Sequence, residues 1–142
     1  MSVDVNLIFN GNTREAVEFY AEVFGIEKTH FMTFGETPPH PDYPLPEEAK
    51  NLVMLSRLNI DGSNVMFSDV YPGSPFIAGN NISLSLVNAD MDGIKAAFDK
   101  LKVGGTVVME LQETFWSKLY GGLTDKFGIT WQFSYDDGSM NM

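Results

Sequence analysis

The chain of 142 residues contains no cysteine. Disulfide frameworks, thiolate nucleophiles and cysteine-ligated zinc or iron–sulfur centres are excluded together. Long apolar runs are also missing, because Lys, Glu, Asp or Asn interrupts each of them before membrane-spanning length. The opening segment, MSVDVNLIFNGNTREAV, has no basic leader and no extended apolar stretch. It reads as a first strand rather than a secretory signal, which makes the cytoplasm the expected location. Positive charge is scarce: 9 Lys and Arg stand against 19 Asp and Glu, a net charge of −10. The cations are scattered from Arg14 to Lys126, so no basic patch is available for a phosphate backbone or an anionic bilayer. Nucleic acid and membrane are therefore excluded as expected partners.

Catalytic signatures are equally sparse. The two histidines, His30 and His40, occur in neither an HxxxH nor an HxH pattern. There is no G-x-S-x-G nucleophile elbow and no G-x-x-x-x-G-K-[ST] phosphate loop. Asn12-Thr13-Arg14 and Gly104-Gly105-Thr106 are too short to replace the latter.

What is present is the patterning of a folded domain, with 44% hydrophobic and 20% charged residues. Val3, Val5, Leu7 and Phe9 alternate with Asp4, Asn6 and Ile8, the period of a strand with one buried face. Asn10-Gly11-Asn12 turns the chain, and Asn12 or Thr13 is placed to cap a helix. That helix runs to about Val23, with Ala16, Phe19, Tyr20 and Val23 at helical spacing and Gly25 as its stop. Ile26–Phe34 is expected as a second strand. Gly35–Lys50 carries five of the seven prolines and is expected to be a mobile loop or lid. Leu52–Ile60 and Asn64–Asp69 flank Asp61-Gly62-Ser63, a hairpin signal, and Val70–Asn81 forms a second loop. The order then begins again: strand Ile82–Val87, helix Asp90–Lys102 ended by Gly104-Gly105, and strands over Thr106–Leu111, Leu119–Thr124 and Thr130–Tyr135. The tail Asp136–Met142 is expected to fray.

The order β-α-β-β-β thus occurs twice, which predicts an α+β fold of two βαβββ modules in a single domain spanning the chain. The modules cover about 1–70 and 82–136, with a curved mixed sheet enclosing a cleft and helices on the outer face.

Several segments resemble the PhnB-like branch of the vicinal oxygen chelate superfamily. They are Phe9-Asn10-Gly11-Asn12 running into Arg14-Glu15-Ala16 and Phe19-Tyr20, then Phe34-Gly35-Glu36 and Ser68-Asp69. Gln112-Glu113-Thr114-Phe115-Trp116 and Thr124-Asp125-Lys126-Phe127-Gly128 with Trp131 complete the set. The resemblance spans the chain and implies the paired βαβββ modules of glyoxalase I, the fosfomycin and bleomycin resistance proteins and the extradiol dioxygenases, commonly as dimers. Metal enzymes of the superfamily place ligands on the first and last strands of each module. Carried over, those positions are Asp4 or Val5, Ser83 and Gln132, with Asp69 the nearest carboxylate on the strand before the second loop. Hydroxyl and amide groups are poor ligands for Zn²⁺, Ni²⁺ or Fe²⁺, so the resemblance implies a cleft with no catalytic transition metal and no cofactor. PhnB-like proteins are often labelled as relatives of a demethylubiquinone methyltransferase. No glycine-rich strand–turn–helix loop supports a methyl-donor site here.

Aromatic residues remain. Phe115, Trp116, Tyr120, Phe127 and Trp131 lie close together, and Phe67, Tyr71 and Phe76 precede the second module. Such rings fill cores and interfaces as readily as they line pockets. Trp116 stands out because Glu113-Thr114-Phe115-Trp116 falls between strands, and Glu113 beside it offers a carboxylate for a ligand cation or, if buried, for work as a base. The sequence therefore points to a small-molecule-binding protein, expected as a homodimer. Asp4, Asn6, Asp69, Ser83, Glu113, Phe115, Trp116, Tyr120 and Gln132 are its candidate contacts. A lyase, isomerase or dioxygenase of the superfamily, metal-dependent or acid–base, is the alternative, and a ligand-free structural or regulatory dimer is a third.

Overall fold

The computed structural model describes residues 1–38, 42 and 44–138. The chain divides into two compact units, Met1–Ile77 and Ala78–Met142. Each holds one four-stranded mixed sheet with one α-helix, as the repeated order of elements predicts.

In the first unit, β1 (Val5–Phe9) leads into α1 (Thr13–Val23), and β2 (Met32–Thr33), β3 (Val53–Ile60) and β4 (Ser63–Asp69) follow. The sheet order is β1-β4-β3-β2, with β1 parallel to β4 and the other pairs antiparallel. Parity sorts the side chains. Leu7 stands beside Phe67 and Val65 beside Leu58 on the helix side, while Asn6, Met66 and Arg57 share the other face. Tyr20 and Phe67 are completely buried, and their rings stack at 5.7 Å. Ala16 and Val17 close the same face of α1. The β3–β4 hairpin turns on Asp61 and Gly62 at φ values of 51° and 92°. Two central residues in the left-handed region make a turn whose twist matches the strands, and glycine adopts it without a Cβ penalty.

The second unit repeats the plan with β5 (Ser83–Asn88), α2 (Met91–Leu101), β6 (Thr106–Gln112), β7 (Tyr120–Thr124) and β8 (Thr130–Tyr135). Its order is β5-β8-β7-β6, with β5 parallel to β8. Leu86, Trp131, Phe133 and Leu123 pack beneath α2, where Phe98 meets Phe133 edge-on at 5.2 Å. Among the described residues, no helix is long and apolar enough to cross a membrane.

Three local expectations are corrected. The first strand begins at Val5, and Val3 is fully exposed, because pairing with β4 starts at Val5 opposite Val65. Neither Asn12 nor Thr13 caps α1 with its own side chain. The carboxylate of Asp69, 56 residues away, accepts from the Thr13 amide at 3.1 Å instead. The expected strand Ile26–Phe34 shrinks to two residues, since only Met32 and Thr33 pair with β3.

Both ends of the proline-rich segment are tied down. A turn at Phe34–Glu36 is closed by a Thr33–Glu36 capping box, and the amide of Gly35 donates to the Lys50 carbonyl at 2.9 Å. Pro39, His40, Pro41 and Tyr43 in its centre, and Ser139–Met142 of the tail, lie outside the described residues.

Candidate functional site

The faces of the two sheets away from their helices carry Asp4, Asn6, Ser83 and Gln132 among the candidate residues. In the first unit, Asn6 donates to Ser68 Oγ at 3.4 Å and Asn64 donates to Asp4 Oδ2 at 3.1 Å. The first pair bridges the parallel strands β1 and β4, the second ties β4 to the residue just before β1, and Asp4 and Asn6 are exposed. In the second unit, Ser85 Oγ donates to Gln132 Oε1 at 3.3 Å, while Ser83 stands beside Thr130 one rung away. Ser85 is not among the candidates named from sequence, although the alternation in Ser83-Leu84-Ser85 puts both hydroxyls on one face.

Asp69 faces the other way. It shares the parity of Val65 and Phe67, is only 4% exposed, and both its oxygens accept hydrogen bonds. Oδ1 accepts from the Thr13 amide and from Thr13 Oγ1, at 3.1 and 2.6 Å, and Oδ2 accepts from the Val53 amide at 2.8 Å. Its carboxylate locks the start of α1 to the start of β3 and is turned away from the open face.

These donor sets do not match a transition-metal centre. The open faces offer amides and hydroxyls, with Asp4 the carboxylate among the candidates. Among the described residues, no group of three or more His, Asp or Glu is placed to hold a metal ion. His30 is exposed just before β2.

A third locus lies beside the loop joining β6 and β7. Thr114 and Ser117 fold this loop into a tight turn: the Thr114 amide donates to the Ser117 carbonyl at 2.9 Å, and the Ser117 amide donates to Thr114 Oγ1 at 3.2 Å. The buried Ser117 hydroxyl reaches the carbonyls of Leu119 and Tyr135, at 2.9 and 2.8 Å, which pins the turn to the end of β8. Held on this turn, Phe115 is 97% exposed and Trp116 is 42% exposed. Their rings meet edge-on at 4.7 Å, and Trp116 meets Tyr120 at 5.3 Å. They border an open pocket of about 390 Å³ whose other walls include Glu113, Lys118, Tyr135, Asp136 and Asp137.

The structure thus separates the aromatic cluster. Phe115, Trp116 and Tyr120 form one contiguous set, while Trp131 belongs to the core at 3% exposure. Trp131 donates its indole N–H to Asp125 Oδ2 at 2.9 Å. Phe67 is core as well, and Tyr71 packs edge-on against Phe34 at 5.5 Å. Tyr135, the last residue of β8, and Asp136, the first of the segment expected to fray, are both pocket walls. The Asp136 amide donates to the Asn88 carbonyl at 3.0 Å, a pairing between distant segments that composition does not reveal.

The family model described as 3-demethylubiquinone-9 3-methyltransferase matches residues 2–134. The chain belongs to this family. YjdN of Escherichia coli K12, a relative, is 29% identical over 94% of this chain and 95% of its own length. Protein PA1353 of Pseudomonas aeruginosa shares 31% identity, covers 96% of this chain and 98% of its own, and superposes with a TM-score of 0.82. The PhnB protein of Bacillus cereus follows at 25% identity and a TM-score of 0.71, over 96% of this chain and all of its own. A glyoxalase/bleomycin resistance/dioxygenase domain from Frankia has a TM-score of 0.62 at 11% identity, over 98% of this chain and 93% of its own. That last likeness concerns the fold alone. This member of the 3-demethylubiquinone-9 3-methyltransferase family therefore has the PhnB-like fold of the vicinal oxygen chelate superfamily, as its motifs imply.

Proposed function

We propose that this protein binds a small, partly aromatic or amphiphilic molecule without a catalytic transition metal. The observation that carries this reading is the pair Phe115 and Trp116, held exposed on a hydrogen-bonded turn at the rim of a 390 Å³ pocket. Exposing two large rings is unfavourable in water by about 1.5–3 kcal/mol for each side chain that could otherwise be buried. Residues held this way on a rigid turn are suited to meet an apolar partner with little loss of entropy.

The open sheet faces support binding over catalysis. Asn6 and Ser68 on the first sheet, and Ser83, Ser85 and Gln132 on the second, are hydrogen-bonding groups but weak bases and weak metal ligands. An acid–base site that counted on Asp69 loses it, because its oxygens hold α1 and β3. The family description names a methyl transfer. Between β1 and α1, however, the turn carries the single glycine Gly11, and the first amide of α1 is already taken by Asp69. A homodimer in the cytoplasm is the setting this reading supposes. Ile8 and Val87, half exposed on open sheet faces, favour such pairing.

Titration with the neutral fluorescent probe N-phenyl-1-naphthylamine tests the reading. Saturable enhancement is expected, weakened roughly tenfold or more in Phe115→Ala/Trp116→Ala. The melting temperature should hardly move, since neither ring is buried in the core. Absence of saturable binding, or binding indifferent to the double substitution, would count against the pocket.

A further inference from the structure

We infer that the pocket beside the β6–β7 turn selects organic cations: an amine, guanidine or quaternary ammonium carried on an apolar body. The inference rests on the reading of that pocket as a small-molecule site and names its ligand class. Its walls combine aromatic faces with negative charge. The aromatic walls are Phe115, Trp116 and Tyr135, and the rings of Phe115 and Trp116 stand at 85° to one another, so their faces point in crossed directions. The face of an aromatic ring is the negative pole of its quadrupole, and indole is the strongest of the three ring types. Glu113, Asp136 and Asp137 add three carboxylates against the one ammonium of Lys118.

A second observation points the same way. The Lys118 ammonium lies 5.8 Å from the centre of the Tyr135 ring, so the pocket already holds a cation of the protein's own against one of its aromatic walls. Lys118 then acts as an internal competitor for the charge a ligand would bring. Inorganic divalent ions suit the pocket less well. They need several oxygens converging at short range, and among the described residues no such group of three acidic or histidine side chains exists. A bulky ammonium spreads its charge over several ångströms and tolerates dispersed carboxylates. Asp136 is held for this purpose by its own loop, accepting from the Gly138 amide at 2.8 Å. The net charge of −10 raises the local concentration of any such cation.

Calorimetry on the full chain with three ring-matched probes tests the inference: benzyltrimethylammonium, benzyl alcohol and phenylmethanesulfonate. The ammonium should bind roughly tenfold more tightly than the alcohol, and the sulfonate more weakly than both. Added salt and the pair Glu113→Gln/Asp137→Asn should each weaken the ammonium severalfold, whereas Lys118→Met should strengthen it. Equal affinity for ammonium and alcohol, with both lost in Trp116→Ala, would overturn cation selection and leave the pocket a site for neutral rings. Ammonium binding unmoved by the charge-removing pair would overturn it too. So would calcium chloride binding alone at one equivalent and displacing the ammonium, or a failure of all three probes to bind.

Discussion

Replacing Asp69 with alanine is expected to cost the first unit about 3–5 kcal/mol of stability. Three donors lose their acceptor at once: the Thr13 amide, the Thr13 hydroxyl and the Val53 amide. All three are buried with the carboxylate, so water cannot replace it without opening the structure. An orphaned buried donor costs about 1–3 kcal/mol, which sets the scale of the sum. Asp69→Asn should cost less, about 2–3 kcal/mol, because one carbonyl oxygen remains while the amide nitrogen meets a donor on the other side. Urea unfolding followed by far-ultraviolet circular dichroism measures both. A loss below about 1 kcal/mol for the alanine variant would show that the carboxylate is not what joins α1 to β3.

Asp125→Ala should cost about 2–4 kcal/mol in the second unit, by a related mechanism with a sharper control. Asp125 is 3% exposed and organises the β7–β8 turn. Its Oδ1 accepts from the Phe127 and Ile129 amides, at 2.9 and 3.1 Å, and its Oδ2 accepts the indole N–H of the core residue Trp131 at 2.9 Å. The turn needs this help because Gly128 enters the left-handed region at φ 87° and contributes no side chain. Removing the carboxylate leaves a buried indole N–H among apolar neighbours. Trp131→Phe removes that donor, so the double variant Asp125→Ala/Trp131→Phe should be more stable than the two separate losses add up to, by about 1 kcal/mol. Strict additivity would mean that the Asp125–Trp131 bond carries no net stability.

The repeated plan was legible because it is written in short-range periodicity. Alternation in Val5–Phe9, Ser83–Asn88 and Thr130–Tyr135, with helical spacing in Ala16–Val23, is read from neighbours alone. Asp61-Gly62 marked its hairpin for the same reason. The second strand failed because only Met32 and Thr33 pair with β3, a contact decided by tertiary packing.

The sequence offers Asp69 as a candidate ligand contact, and the structure gives it another role, as a clasp between α1 and β3. Val65, Phe67 and Asp69 share parity, which places the carboxylate on the buried face. Its partners Thr13 and Val53 lie 56 and 16 residues away, and no local pattern announces them. The exposure of Trp116 followed from its place between strands. The contribution of Tyr135 and Asp136 did not, because these residues reach the pocket only once the Ser117 hydroxyl joins the turn to the end of β8. Motifs that look functional thus divide. Thr124–Gly128 with Trp131 is a structural clasp, and Glu113–Trp116 forms the rim of the pocket.

Metal content and probe binding measured on one untagged sample, before and after exhaustive dialysis against a chelator, test metal-free binding most directly. The expected result is far less than one equivalent of zinc, nickel, iron or manganese, with the same naphthylamine affinity on both sides of the dialysis. About one equivalent of metal, lost together with binding in Asp4→Ala or Gln132→Ala, would contradict it.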